Sequence, residues 1–367
     1  MTQRILHIIA TLDRAGAEKQ LALLARRLPR DRFDIHVCAL TRGGPLREEL
    51  TAAGIPVTVL NKRFKADPVS FARLVKLIRR LQPDLIHTWM FTANAYGRAA
   101  GQYAGVSRMI ASERCVDPWK SGWQFAIDRR LARATNRIVA NAPAVADFYT
   151  QHGLAPSKLR VIANGIEQPG PSRLLRGELL SRFDLPVDVP LIGAVGRFWP
   201  QKRMKYLIWS AELLHLLHPQ AQLLIAGDGP QLAQAMRYCS LLDGDDYVHF
   251  LGQRNDVPDI LPHLDLFWHV SGYEGLPNAV MEAMAAALPV VATDVAGNRD
   301  LIEHGETGML VASNDRRELV RASDRLIGNA ALREKIGRAA QAQVLETYAA
   351  EKMVCGYVKL YDEVLAE

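Results

Sequence analysis

Short runs of apolar and β-branched residues recur along the whole chain, and helical patterns fill the spaces between them. The first series is Arg4–Ala10, Asp34–Leu40, Pro56–Leu60, Asp84–Trp89, Arg108–Glu113, Arg137–Asn141 and Leu159–Ala163. The second is Leu191–Val195, Gln222–Ala226, Val248–Leu251, Leu266–Val270, Pro289–Thr293 and Met309–Val311. The intervening patterns repeat every three or four residues, as in Ala17–Leu28, where Leu21, Leu24 and Leu28 share one face. Strands alternating with helices imply parallel sheets covered on both faces. Two such series imply an α/β protein of two Rossmann-like domains. The turn-formers Asn164-Gly165-Ile166 and Pro169-Gly170-Pro171 place the boundary there. The expected division is 1–166, 167–347 and a C-terminal segment, 348–367, in which Tyr348–Leu365 reads as one or two amphipathic helices.

A length of 367 residues suits two domains of ordinary size. No run of 18 apolar residues occurs, so no transmembrane helix is expected. The start of the chain, Arg4–Ala10, reads as a first strand rather than a signal peptide. Cys38, Cys115, Cys239 and Cys355 are scattered, with no CxxC pair, which fits a reducing cytoplasm and argues against a metal or disulfide framework. Charge is uneven. Residues 1–170 carry 26 Lys and Arg against 13 Asp and Glu, and the remainder 19 against 26. A basic first half implies that it meets something anionic.

Between the strand-like runs at 266–270 and 289–293 lies Tyr273-Glu274-Gly275-Leu276-Pro277-Asn278-Ala279-Val280-Met281-Glu282. A carboxylate, a glycine and a helix start are the ingredients of a site for a phosphorylated ligand. Glu282 follows Asn278 by four positions, so both lie on one side of the expected helix, with Ala279, Ala283, Met284 and Ala287 as its buried stripe. Helical side chains lean toward the N-terminus, which aims Glu282 back at the loop. The spacing of Glu274 and Glu282 alone is weak, since about one such pair is expected by chance at this composition. Its position at the carboxyl end of a strand, where open α/β sheets place ligands, strengthens it.

Other strand ends carry chemistry. Gly193-Ala194-Val195-Gly196-Arg197 leads to Lys202, and a guanidinium fork beside a compact ammonium suits a diphosphate. Gly227-Asp228-Gly229-Pro230 permits close backbone approach, and Leu251-Gly252-Gln253-Arg254 offers backbone to a nucleobase. In the first half, Gly16 begins a helix, and Ser112-Glu113-Arg114 could bind an acceptor or form an internal ion pair. His87 ends a buried strand, where a lone histidine is more often a core residue than a catalyst. Neither half has a GxGxxG or GKS/T fingerprint, which disfavours dehydrogenase and P-loop readings. Asp243-Gly244-Asp245 lies in a polar stretch and reads as a surface turn rather than a metal site. Trp119 and Trp123 precede Arg129, Arg133 and Arg137, an i, i+4 ladder suited to an anionic membrane surface, while Trp123, Ile127 and Leu131 are expected to face the core.

Taken together, these residues resemble the retaining, nucleotide-sugar-dependent glycosyltransferases of family 4 (glycosyl transferases group 1), of GT-B architecture. The resemblance rests on Gly196-Arg197, Gln201-Lys202, Ala226–Pro230, Glu274 to Glu282 and Gly305–Val311, and more faintly on Ala15–Glu18, His87 and Asn164–Ile166. It implies two domains facing across a cleft and a C-terminal helix crossing back to the first. It implies that a UDP- or GDP-sugar is held by Gly16, Gly196, Arg197, Lys202, Gly229, Arg254, Glu274, Gly275, Leu276, Asn278 and Glu282, the last at the ribose hydroxyls.

In the implied reaction Arg197, Lys202, Glu274 and His87 form the reaction centre. Many family members carry His-x-His on the strand of His87; here the second position is Trp89, so the site works without that imidazole or another group replaces it. The expected activity is that of a hexosyltransferase acting on a glycan or lipid-linked acceptor, bound near Glu113 and Arg114, in envelope polysaccharide or glycolipid synthesis. No metal, cofactor or nucleic-acid partner is expected, and the basic first domain suits peripheral membrane association at the cytoplasmic face. A nucleotide-sugar 2-epimerase and a binding protein that has lost turnover are the competing readings.

Overall fold

The computed structural model describes residues 2–367. The chain divides into two compact units, one comprising the chain up to Gly165 together with Ala350–Glu367, the other Ile166–Ala349.

In the first unit seven strands form one sheet: β1 (Gln3–Thr11), β2 (Phe33–Arg42), β3 (Val57–Val59), β4 (Leu85–Trp89), β5 (Met109–Glu113), β6 (Arg137–Ala140) and β7 (Leu159–Val161). Their order is β3-β2-β1-β4-β5-β6-β7, and every pairing is parallel. All five residues of β4 are buried, as a strand covered on both faces requires. Leu21, Leu24, Leu46 and Leu50, from the helices Gly16–Arg27 and Leu46–Ala52, pack on one face. The helix Ala350–Ala366 completes that layer, burying Met353, Tyr357, Leu360, Tyr361 and Val364 in the same core. The expected return of the C-terminal helix to the first domain is therefore observed. The helices Pro68–Leu81 and Met90–Ala104 cover the other face through Leu74, Val75, Ile78, Ala93 and Ala100. Gly122–Ala132 lies beside them, tied by Arg98 Nη2 donating to Asp128 Oδ1 at 2.7 Å.

The second unit repeats the plan with β8 (Leu191–Val195), β9 (Gln222–Ala226), β10 (Val248–Gly252), β11 (Leu266–His269), β12 (Val290–Thr293) and β13 (Met309–Val311). The order is β10-β9-β8-β11-β12-β13, again all parallel. Each sheet thus reverses its order once, between β1 and β4 and between β8 and β11. Those reversals are the topological switch points at which doubly wound sheets bind ligands.

Candidate functional site

The loops after β8 and β11 meet at the second switch point. After β8 the chain passes Gly196 and Arg197 into a short 3-10 turn, Pro200–Lys202. After β11 it passes Ser271 to Glu274, and a helix begins at Asn278. Two bonds stitch the loops together: Gly272 N–H donates to the Gln201 carbonyl at 2.8 Å, and Gln201 Nε2 donates to the Tyr273 carbonyl at 2.7 Å. The stitching carries Lys202 onto Glu274, and the two side chains form an ion pair.

Glu274 is only 6% exposed, and its carboxylate is saturated with donors. Oε1 accepts from Lys202 Nζ, from Ser271 Oγ at 2.6 Å and from His269 Nε2 at 3.1 Å; Oε2 accepts from Gln201 Nε2 at 3.3 Å. Burial would push its pKa up, but Lys202 and His269 more than offset this and hold the carboxyl well below the usual range. Burial and the Lys202 charge in turn lower the His269 pKa, so a neutral ring donates through Nε2. Sequence reasoning passed over His269 and Ser271, and named Gln201 only as part of the family pattern. A histidine closing the apolar run Leu266-Phe267-Trp268 was the available signal.

Arg197 lies on the same loop after β8 and is exposed, its guanidinium 5.8 Å from the Trp199 ring centroid. The β9 loop is locked against it: Phe198 N–H donates to the Asp228 carbonyl at 2.9 Å, and Gln231 N–H to the Phe198 carbonyl at 3.0 Å. This approach requires glycine. At Gly227 (φ +149°) a Cβ would lie 1.9 Å from the Gly196 carbonyl oxygen, and at Gly229 (φ +155°) 2.8 Å from the Phe198 backbone. Gly275 is held equally closely, since a Cβ on Gly297 would lie 1.8 Å from its carbonyl oxygen. Asn278 opens the helix and Glu282 follows one turn later, both half-buried, while Leu276 is buried. The buried stripe of this helix differs from the expected one. Val280, Met281, Ala283, Met284 and Ala285 face inward; Ala279 and Ala287 are only half-buried, because the helix ends at Ala285 and Ala287 takes φ +59°.

The structure thus brings Gly196, Arg197, Lys202, Gly229, Glu274, Gly275, Leu276, Asn278 and Glu282 around one set of strand ends. Arg254 follows β10, but its side chain turns to a neighbour. Nε and Nη2 form a bidentate pair with Asp256 at 2.7 and 2.6 Å, and the guanidinium lies over Phe183. Asp243-Gly244-Asp245 forms the expected turn, with both aspartates exposed.

At the first switch point the picture changes. Gly16 is exposed at the first position of its helix. His87 is fully buried, Nδ1 2.7 Å from Tyr361 OH and Nε2 2.8 Å from Ser112 Oγ. Burial, together with the neighbouring His7 and Arg114, lowers its pKa well below the ordinary value. With both nitrogens engaged inside the core it belongs to the scaffold, contrary to its expected place at the reaction centre. Trp89, the departure from His-x-His, donates Nε1–H to His7 Nδ1 at 3.1 Å and is also fully buried.

Glu113 and Arg114 are turned inward as well, and the internal pairing rather than acceptor contact describes them. Lys120 Nζ lies 3.5, 3.5 and 3.2 Å from carboxylate oxygens of Glu113, Asp117 and Asp128, and 2.6 Å from Tyr149 OH. Arg114 binds Tyr357 OH at 3.1 Å and Asn164 Oδ1. The arginine ladder is broken too: its helix ends at Ala132, and Arg137 lies on β6, paired with Glu363 and Glu367.

Two Rossmann-like domains on one chain, the second with a cation–carboxylate pair at its switch point, are the parts of a GT-B architecture. Residues 178–343 match the family model for glycosyl transferases group 1, and residues 14–168 that for glycosyltransferase family 4. The chain belongs to this family of glycosyltransferases. UDP-Gal:alpha-D-GlcNAc-diphosphoundecaprenol alpha-1,3-galactosyltransferase of Escherichia coli is 28% identical over 317 residues, 78% of each chain. N-acetyl-alpha-D-glucosaminyl L-malate synthase of Bacillus anthracis is 32% identical over 190 residues, 52% of this chain and 50% of its own. The fold matches HepE of Anabaena in complex with UDP-glucose, with a TM-score of 0.89 at 23% identity over 98% of this chain and 99% of that one.

Proposed function

We propose that the protein transfers a hexose, with retention at the anomeric carbon, from a nucleoside-diphosphate sugar to a glycan or lipid-linked acceptor in cell-envelope glycan synthesis. The observation that carries this reading is the Lys202–Glu274 pair at the β8/β11 switch point, with exposed Arg197 on the same loop as Lys202. Lys202 is a cation held in readiness at a strand end, and Arg197 supplies a guanidinium fork for phosphate oxygens. Together they stabilise charge developing on the departing diphosphate, so the reaction proceeds without a divalent metal. Glu274 keeps Lys202 in place in the unliganded site, and Glu282 accepts hydrogen bonds from the ribose. UDP-linked donors are favoured, because the Escherichia coli relative is named for UDP-galactose and the Anabaena structure contains UDP-glucose.

The test is turnover of a nucleotide-sugar panel with and without excess EDTA, and NMR of the product anomer. Retained configuration, turnover unaffected by EDTA, and a loss of about 10²–10³ in kcat for Arg197→Ala are expected. Inverted configuration, full EDTA sensitivity or an unimpaired Arg197→Ala enzyme would refute the reading. Epimer formation from the donor alone would reassign the protein as an epimerase.

A further inference from the structure

Lys202 and His269 reach one oxygen of Glu274, Oε1, from two different strand ends. Lys202 closes the turn after β8, and His269 is the last residue of β11. A carboxylate only accepts, so the His269 proton sits on Nε2, and Nδ1 is the basic nitrogen. Ser271 completes the cluster. Its Oγ donates to the same Oε1 at 2.6 Å, and its backbone is locked to Thr293 at the end of β12. Thr293 Oγ1 accepts from Ser271 N–H at 3.0 Å and donates to the Ser271 carbonyl at 2.8 Å.

The members of this cluster differ in their freedom to move. Glu274 is pinned, since its loop is stitched at Gly272 and Tyr273, and a Cβ on Gly297 would lie 3.1 Å from the Glu274 Cβ. His269 and Ser271 are buried. Lys202, by contrast, reaches Glu274 on a flexible four-carbon stem, with its side chain 16% exposed. A diphosphate that engages Lys202 takes away the cation and leaves the carboxylate where it is. A buried carboxylate stripped of its counter-charge is costly. The group placed to supply another is His269, 3.1 Å away. Burial and the Lys202 charge lower its pKa while Glu274 raises it, so departure of Lys202 removes one of the opposing causes. Other charges on the surrounding elements are disposed differently. Arg203 Nη1 donates to the Ser313 carbonyl at 2.6 Å, Arg299 pairs with Asp294, Arg197 is exposed, and Glu282 is half-buried on the helix that follows.

We propose that His269 is a positioning residue that holds Glu274 through Nε2 and takes a proton from solvent at Nδ1 when a donor's diphosphate draws Lys202 away, so that donor binding carries one proton into the site. The Lys202–Glu274 ion pair is exchanged for a His269–Glu274 pair, and Glu274 keeps its position and its charge throughout. The proposal rests on the reading of Lys202 as a ligand of the diphosphate.

The experiment is titration calorimetry of the full chain with UDP-glucose, UDP-galactose and GDP-mannose, in buffers of different ionisation enthalpy. Each sugar nucleotide is a diphosphate diester of constant charge near neutrality, so a proton taken up on binding goes to the protein. For whichever donor binds, uptake approaching one proton is expected near about pH 7, with affinity falling up to about tenfold per unit as pH rises from about 6 to 8. His269→Gln keeps an N–H for Glu274 but cannot titrate, and is expected to bind the donor with neither uptake nor pH slope. His269→Leu removes the N–H as well, and is expected to bind at least about tenfold more weakly than His269→Gln. Wild-type binding without uptake, uptake that persists in His269→Gln, or equal affinity of the two variants overturns the proposal and leaves the donor reading standing. Failure of all three sugar nucleotides to bind defeats the donor reading, and the proposal with it. Should His269→Gln not fold, nitrogen NMR of histidine-labelled wild type reads the same event. One ring turning from neutral to charged on donor addition is expected, and no ring doing so overturns the proposal.

Discussion

Single residues in the two units show how similar positions on similar folds diverge. Glu274 and His87 each lie at or just beyond a switch-point strand, and both are buried. Glu274 keeps its charge because four donors, Lys202 among them, oppose the cost of burial. His87 has no carboxylate beside it and faces His7 and Arg114, so it stays neutral. His7 carries the same argument to a measurable consequence. Burial pushes its pKa down to about 3, while the unfolded chain titrates near about 6.5. Between those values the unfolded state binds the proton and the folded state does not, so stability falls as pH drops from about 6.5 toward 3. The depressed Glu274 carboxyl acts in the same direction at the lower end of that range: its contribution is complete above the unfolded value near 4.3 and is lost as pH falls. Melting temperature measured against pH should therefore decline through the acid range. His7→Leu should flatten the slope between pH 6.5 and 4, and it also removes a buried Nε2 that has no partner. An unchanged slope in that variant would show that His7 is protonated in the folded state.

At the scale of elements, the strands were legible because a parallel strand covered on both faces must be apolar for its full length. All thirteen apolar runs appear as strands, and the Glu274 loop falls between β11 and the following helix as its glycine and proline imply. What escaped were properties that depend on neighbours distant in sequence. Nothing in Ser112-Glu113-Arg114 says that Lys120 and Tyr357 will take up its charges. Nothing in the spacing of Arg129, Arg133 and Arg137 says that the last crosses into β6. Helix 278–285 buries Ala283 and Met284 as expected but adds Val280, Met281 and Ala285 in place of Ala279 and Ala287, because its phase is set by contact with the sheet rather than by its own composition.

The glycine loops fall between these cases. Their turns were legible, but the 1.9 Å approach of a Gly227 Cβ to the Gly196 oxygen was not. Gly227→Ala forces apart the loops after β8 and β9, at a cost of about 1–3 kcal/mol, with the unfavourable φ adding to it. Urea unfolding of the second unit should report that loss, and UDP affinity should fall together with it. Wild-type values for both would mean that the two loops part without consequence.

For the whole molecule, the last helix determines what holds the first unit together. The chain leaves that unit at Gly165 and returns only at Ala350, so 18 residues separated by the entire second unit complete its core. Met353, Tyr357, Leu360, Tyr361 and Val364 are buried against Leu21, Phe33 and Trp89. Tyr361 OH also meets His87, and Tyr357 OH accepts from Arg114. At about 1.5–3 kcal/mol for each buried side chain, these five contribute roughly 8–15 kcal/mol. That is comparable to the entire stability of a typical domain, about 5–15 kcal/mol. Removing Ala350–Glu367 should therefore unfold the first unit rather than trim it. It would also take the Tyr357 hydroxyl from the buried Arg114 guanidinium, leaving it Asn164. The second unit contributes its own core, centred on Leu207, Ile225, Phe198 and Trp268, and owes none of it to this helix. Hydrogen exchange on the truncated chain should show protection lost throughout β1–β7 and kept in β8–β13. Protection surviving in β1 and β4 would mean that the sheet and its two other helices suffice, and the last helix would then be a covering layer rather than part of the core.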